Sequence, residues 1–390
     1  MSLIERPVSG LANLDVECEC GQRHRVPIRH IYAGEGALGQ LSKIAEEFGG
    51  KNAFLVGDSH TMPLAAEPVR AMLEGAGMAV REYVFSRREH YLTDETAIGE
   101  MLVHLPQDTD LIVTIGSGTM NDISRVVSIR CRIPYVIIGT APSMDGYASS
   151  TSAVITGDEK VSVPLGAPYG VIADAKLLVT APDVMLSAGI GDVLGKHTTL
   201  MDWRLASREG KERYCPVIAG LIETACRRCE AGYEAVLSRS PEAVCDMAET
   251  LIKAGVAISM FGTSRPASGS EHQLAHCWEV AAIRRSADSG LHGNFVGLGT
   301  IAAILLYQEA GKEFGFETLG YQLPSAEKIR AILEKAGGYA LKEALGVDAA
   351  MFRESFTHAA RINPRYTILS YLDERGRLEH YADVVTQLMY

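Results

Sequence analysis

The run Leu111-Ile112-Val113-Thr114-Ile115-Gly116-Ser117-Gly118-Thr119-Met120-Asn121-Asp122 decides the fold. Five consecutive apolar or β-branched residues have the character of a strand buried on both faces, as in a parallel sheet. A glycine-rich turn follows, and a helix is expected from about Met120 to Ser128. Glycines at such a junction let backbone N–H groups approach a phosphate at the positive end of the helix. The third glycine of a GxGxxG fingerprint is missing, with Asn121 in its place, so the turn alone serves a nucleotide or a tight strand-to-helix connection.

The same texture extends to either side. Residues 52–56, 81–85 and 135–138 read as further strands, and Pro63 to Leu73 and Glu95 to Leu105 as helices. Strands alternating with helices argue a parallel, doubly wound sheet that binds ligands at the carboxyl ends of its strands. Upstream, residues 14–34 carry Cys18, Cys20 and His24 among partly alternating Val16, Val26, Ile28 and Ile31, the pattern of a small β-ribbon. The two cysteines and the histidine can clip a zinc ion, but CxC with one histidine is an unusual spacing and supplies three ligands, which favours a purely structural ribbon. From Ala153 to Leu178 a hairpin and a further strand are expected. After Ala181-Pro182-Asp183 the chain reads as helical, with amphipathic runs near 183–208, 215–236, 241–260, 270–284, 294–311, 325–336 and 348–361. The expected organisation is an α/β nucleotide-binding domain over 1–180 with its N-terminal ribbon, and an all-α domain over 181–390.

Composition sets limits. The 390 residues include 47% hydrophobic and 22% charged residues, and 37 basic against 48 acidic side chains leave a net charge of -11. That balance argues against a nucleic-acid binder. The eight scattered cysteines favour reduced thiols and a cytoplasmic protein. No signal peptide is implied at the N-terminus, and the longest apolar run, Val296 to Tyr307, is too short for a membrane span.

The residues that carry chemistry lie in four places. Asp58 ends the first strand of the α/β region, where a carboxylate accepts from ribose hydroxyls and repels a 2′-phosphate, leaning toward NAD over NADP. The loop from Gly139 to Ser150 is long, polar and rich in small residues, and contains Asp145, which either shapes a turn before Gly146 or serves the site. Ser268-Gly269-Ser270-Glu271-His272-Gln273-Leu274-Ala275-His276 sets two histidines one helical turn apart, and Leu291-His292-Gly293-Asn294 supplies a third. Their imidazoles suit zinc, iron or nickel. Asp192, in Gly189-Ile190-Gly191-Asp192-Val193-Leu194-Gly195-Lys196, is either an N-cap or a carboxylate ligand.

Together, the GSGTxND turn, the TAPSMDGYAS loop, GDxxxK, SRPASGSEHxxxH and the later HGN resemble the sn-glycerol-1-phosphate dehydrogenases, and within them the bacterial AraM-type branch with its cysteine-bearing ribbon. More broadly they resemble the superfamily of iron-dependent alcohol dehydrogenases, glycerol dehydrogenases and dehydroquinate synthases. The resemblance implies a dehydroquinate synthase-like fold. It also implies metal ligands at Asp192, His272 and His292, and substrate contacts at Asp145, Asp192 and His276. Asp145 and His276 are the expected catalytic residues. Cofactor contacts are implied at Asp58, Gly116, Ser117, Gly118, Thr119, Met120, Asn121, Thr140, Ala141, Pro142, Ser143 and Ser149.

The implied reaction is reduction of dihydroxyacetone phosphate to sn-glycerol 1-phosphate by NADH, with NADP possible. It uses one divalent metal, zinc or nickel, with iron possible. Lys196 stands where iron alcohol dehydrogenases have a fourth ligand, and is expected, with Arg265, to offer charge to a substrate phosphate. The alternatives are a glycerol dehydrogenase or other polyol dehydrogenase of the same fold, which would need no substrate phosphate contact, a dehydroquinate synthase, and a non-catalytic nucleotide- or metal-binding protein. The expected partners are the small-molecule substrate and a second copy in a homo-oligomer, a dimer, with neither nucleic acid nor membrane insertion.

Overall fold

The computed structural model describes residues 3–88, 90–157, 159–285, 290–362 and 365–390. In its first part, β1 (Asp15–Glu17) and β2 (Arg23–Arg25) form the ribbon, followed by β3 (His30–Gly34), α1 (Leu41–Glu46), β4 (Asn52–Asp58), α2 (Met62–Gly75), β5 (Ala79–Phe85), α3 (Glu95–His104), β6 (Leu111–Gly116), α4 (Gly118–Cys131) and β7 (Tyr135–Gly139). A hairpin of β8 (Thr151–Thr156) and β9 (Glu159–Pro164) precedes β10 (Gly170–Asp174) and α5 (Ala175–Leu178). The helical remainder comprises α6 (Asp183–Arg208), α7 (Pro216–Leu237), α8 (Pro241–Phe261), α9 (Ser270–Arg284), α10 (His292–Phe314), α11 (Ala326–Lys335), α12 (Lys342–Leu345), α13 (Ala349–Ile362), α14 (Ile368–Asp373) and α15 (Leu378–Met389).

Among the described residues, six strands form one sheet in the order β3-β10-β7-β6-β4-β5, every neighbouring pair parallel. The buried run Leu111–Gly116 lies at its centre, and the edge strand β5 carries exposed Arg81 and Glu82, charges that suit an unpaired edge. The register pairs Gly57 with Ile115 and Gly116 with Gly139. Asp58, Ser117 and Thr140 therefore leave the sheet along one carboxyl-terminal edge. One expectation is corrected: His30–Gly34 is not part of the ribbon but pairs in parallel with β10 at the sheet's edge. Its partner lies some 140 residues away along the chain, so local alternation could not reveal it.

The chain divides into two compact units, Met1–Pro182 with Glu234–Thr263, and Asp183–Tyr233 with Ser264–Tyr390. A single boundary near residue 180 misses the return of α8 to the first unit. There a Cβ on Gly255 would meet the Asp145 carbonyl oxygen, and Ser259 Oγ donates to the Ala148 carbonyl at 2.8 Å. In the second unit α6 is buried on nearly all sides from Leu186 to Ala206, as a helix must be when others surround it. No helix among the described residues is long and apolar enough to cross a membrane.

Candidate active site

In the second unit, Asp192 lies mid-way along α6, His272 in the first turn of α9 and His292 at the start of α10. Ligand atoms of the three lie within 4.8 Å of one another. Glycines make this convergence sterically possible. A Cβ on Gly191 would fall on the Gly293 carbonyl oxygen, one on Gly293 on the Ala188 carbonyl oxygen, and one on Gly299 on the Glu271 carbonyl oxygen. Thus α6 and α9 both meet α10 backbone to backbone beside the residues that must converge.

Both imidazoles are oriented by carboxylates. His272 Nδ1 lies 2.7 Å from Glu271 Oε1, and His292 Nδ1 lies 2.8 Å from Glu279 Oε1. An ionised carboxylate only accepts, so each ring keeps its hydrogen on Nδ1 and frees Nε2 for a ligand. Glu271 also accepts from Thr198 Oγ1 at 2.5 Å, Thr199 Oγ1 at 2.6 Å and the Gly269 N–H at 2.6 Å. Burial would raise its carboxyl, but these partners, led by His272, bring it down to about 2. Burial works against the charged His272 ring, yet Asp192 and Glu271 raise its pKa to about 9. Such a site binds a cation well once that proton leaves. The His276 ring centre is 5.7 Å from that of His292 and 6.4 Å from that of His272, within reach of a group held by the triad.

Two expectations are corrected. Lys196 does not present its charge to a phosphate: it is wholly buried and donates from Nζ to Asp192 Oδ1 at 3.0 Å, the Asp192 carbonyl at 3.2 Å and the Ala267 carbonyl at 3.4 Å. Burial pushes the Asp192 carboxyl up, but Lys196 and His272 reverse this and hold it well below the usual carboxylate range. Arg265 is likewise buried and lies 2.8 Å from Glu212 through Nε. Neither residue's position identified it as an internal counter-ion, because sequence spacing gives the face of a helix and not what covers it.

In the first unit, the edge residues divide by what they hold. Gly118 opens α4 after Ser117, and a Cβ on Gly116 would overlap the Met120 side chain. Asp58 Oδ1 accepts from the His60 N–H at 2.9 Å and the Thr61 N–H at 2.8 Å, so the carboxylate also fixes the start of α2. Asn121 is fully buried and donates through Nδ2 to the Gly146 carbonyl at 3.2 Å. Met120, Ala141 and Ser149 are buried, and Thr140 and Ser143 nearly so. Pro142 is buried beside them and Asp145 is half-buried, opening a short turn to Ala148. The loop is held from below by Arg125, which sequence reasoning missed. Its guanidinium donates to Asp122 Oδ1 and the Thr151 carbonyl, each at 2.8 Å, to Ser152 Oγ at 3.1 Å and to the Gly146 carbonyl at 2.5 Å.

A family model described as iron-containing alcohol dehydrogenase matches residues 32–182. The glycerol-1-phosphate dehydrogenase (NAD(P)+) of Halalkalibacterium halodurans is 30% identical over 381 residues, covering 92% of this chain and 96% of that protein. The chain belongs to the glycerol-1-phosphate dehydrogenase family. An archaeal member from Methanosarcina barkeri is 32% identical over 343 residues, covering 87% of this chain and 90% of its own. Solved structures share the fold: 1,3-propanediol oxidoreductase at a TM-score of 0.71 and 17% identity, covering 93% of this chain and 98% of that one, and glycerol dehydrogenase from Schizosaccharomyces pombe at 0.66 and 19%, covering 93% and 91%.

Membership of the glycerol-1-phosphate dehydrogenase family and the iron-containing alcohol dehydrogenase match imply a divalent metal, and the donors fit one. One carboxylate and two Nε2 atoms, each ring turned by a carboxylate behind it, make a set suited to a divalent transition metal with positions left for substrate. Glu271 and Glu279 are the orienting residues that sequence reasoning left unassigned. Glu271 stands next to His272 in the chain and was a visible signal, whereas Glu279 reaches a histidine on another helix.

Proposed function

We propose that the protein reduces dihydroxyacetone phosphate to sn-glycerol 1-phosphate reversibly, with NADH or NADPH and a divalent metal held by Asp192, His272 and His292. The observation that carries this reading is the convergence of those ligand atoms within 4.8 Å, with Nδ1 of each ring committed to a carboxylate. When bound, the metal supplies a Lewis acid for the carbonyl oxygen and the reduced nicotinamide supplies hydride.

The chain's own residues supply the rest. The N–H groups opening α4 after Ser117 receive the cofactor's pyrophosphate, with Gly116 and Gly118 keeping the approach clear and Thr119, Met120 and Asn121 forming the turn behind it. Asp58 accepts from a ribose hydroxyl, and Thr140, Ala141, Pro142, Ser143 and Ser149 line the cofactor, their loop clamped by Arg125 and Asn121. Asp145 and His276 contact the substrate, and His276, one turn beyond a ligand, delivers the proton to the forming alkoxide. Zinc or nickel is the metal that these nitrogen and oxygen donors favour, with iron also accommodated. Eight cysteines scattered through a long chain support a cytoplasmic setting. A homodimer belongs to the same reading.

The test is a chiral assay of the product after metal removal and after refilling with zinc, nickel or iron. The expected product is sn-glycerol 1-phosphate, formed only in refilled protein. The sn-3 enantiomer, or full turnover without metal, would overturn the reading. Because Lys196 and Arg265 are both committed to carboxylates, a glycerol dehydrogenase stands as the second reading, and faster turnover of dihydroxyacetone than of its phosphate would favour it.

A further inference from the structure

The N-terminal ribbon is too small to hold itself. β1 and β2 are three residues each, and Asp15, Glu17, Arg23 and Arg25 point to solvent. A two-stranded hairpin of that size is not independently stable in water. Yet its turn is closely specified: the Cys18 N–H donates to the Gln22 carbonyl at 2.8 Å, the Gly21 N–H donates to the Cys18 carbonyl at 2.9 Å, and Gly21 takes a φ of 77° that a side chain would disfavour.

This turn brings Cys18, Cys20 and His24 together, with Sγ and ring nitrogen atoms all within 4.8 Å of one another. His24 is buried, and its Nδ1 lies 3.0 Å from the Met260 carbonyl near the end of α8. A carbonyl only accepts, so the ring hydrogen sits on Nδ1 and Nε2 is left with its lone pair, 3.3 Å from Cys20 Sγ. A histidine that binds metal is set up in this way, its far nitrogen donating to a backbone carbonyl. In a tetrahedral zinc site, bonds of about 2.3 Å to sulfur and about 2.0 Å to nitrogen leave those two atoms roughly 3.5 Å apart. The observed spacing is close to that.

We propose that Cys18, Cys20 and His24 bind a structural zinc ion that closes the ribbon's turn, while His24 Nδ1 ties the closed ribbon to the Met260 carbonyl. Two thiolates and an imidazole select zinc over harder cations, a further donor completing the tetrahedron. Binding releases the two thiol protons and changes no oxidation state. The site is separate in composition from Asp192, His272 and His292, which include no sulfur, so the protein carries two metals of different duty. Through His24 and the Met260 carbonyl the closed ribbon meets the end of α8, the helix whose Gly255 and Ser259 carry the Asp145–Ser149 turn.

Cobalt separates the two sites, because only a thiolate ligand gives an intense near-ultraviolet charge-transfer band. In full-length protein reconstituted with Co2+, that band is expected in the wild type and in His272→Ala, to be lost in Cys18→Ser/Cys20→Ser, and to survive in His24→Cys. No band in the wild type, or an undiminished band in the double variant, would overturn the proposal. If the double variant does not fold, alkylation of the wild-type zinc protein decides. Peptides containing Cys18 and Cys20 should be protected until a chelator is added, and equal labelling with and without chelator sinks the idea. The result is independent of whether Asp192, His272 and His292 hold the reaction's metal, since His272→Ala keeps the band in either case.

Discussion

Gly191 and Gly293 face each other with no room for a single additional carbon: a Cβ on the first would overlap the carbonyl oxygen of the second. Each glycine precedes or follows a triad residue, Asp192 or His292, by one position. Gly191→Ala should push α6 from α10 and separate the two ligands. We expect a loss of about 1–3 kcal/mol or more in stability, and divalent-metal affinity weakened by at least tenfold. Thermal unfolding with and without metal, and a metal titration, measure both. An alanine variant with wild-type metal affinity would remove the helix crossing from the account.

Glu271 and Glu279 each hold Nδ1 of a triad histidine. Glu271→Gln and Glu279→Gln should each weaken metal binding by about 10–100-fold, because an amide can present either face to Nδ1 and no longer fixes the tautomer. Activity at saturating metal should recover substantially. Competition against a chromogenic chelator reads the affinity, and unchanged affinity in both variants would show that the rings are held by packing alone.

Lys196 balances a carboxylate where both side chains are wholly buried. Lys196→Met should cost the metal-free protein about 3–5 kcal/mol, as breaking a buried pair leaves the other charge uncompensated. A bound cation should restore part of that loss. The KM values for dihydroxyacetone phosphate and dihydroxyacetone should shift alike, since the ammonium faces Asp192. A selective rise for the phosphorylated substrate would return Lys196 to the substrate.

Glu230 gives a pH dependence whose sign can be worked out. The His197 imidazole, with Nε2 2.7 Å from Glu230 Oε1, lowers its pKa, burial opposes this and Lys328 at 2.5 Å assists, leaving it at about 2 against an ordinary 4.5. The folded value is depressed, so the stability it contributes is present above the unfolded pKa and is lost as pH falls toward 2. Between about pH 6 and about pH 3 the chelated wild type should lose about 1–2 kcal/mol more than Glu230→Gln. Urea unfolding at the two pH values checks this, and parallel losses would rule the pair out as a contributor.

Much of the fold was legible because it is local. The central strand, its glycine turn and the long helices announce themselves through runs and periods, and α6 and α9 begin and end where the pattern places them. The ligand candidates were legible through residue type and a recognisable set of motifs. What escaped depends on contacts distant in sequence. β3 pairs with a strand across the domain, Glu279 turns a ring on another helix, and Arg125 reaches carbonyls more than twenty residues away. Lys196 shows the converse: its position along the helix was plain, but whether that side met solvent, substrate or a carboxylate is a property of what packs over it. The short helices α12, α14 and α15 were not resolved from the general helical texture of the C-terminal third.

The first unit takes in Glu234–Thr263 after an excursion of 51 residues through the second. During synthesis, the surface that α8 covers therefore waits until residue 263 has been made and has left the ribosome. The carbonyls of Asp145 and Ala148 stay without their helix throughout that interval. A gene fragment ending near residue 180 would not encode a smaller working module but a permanent version of that waiting state.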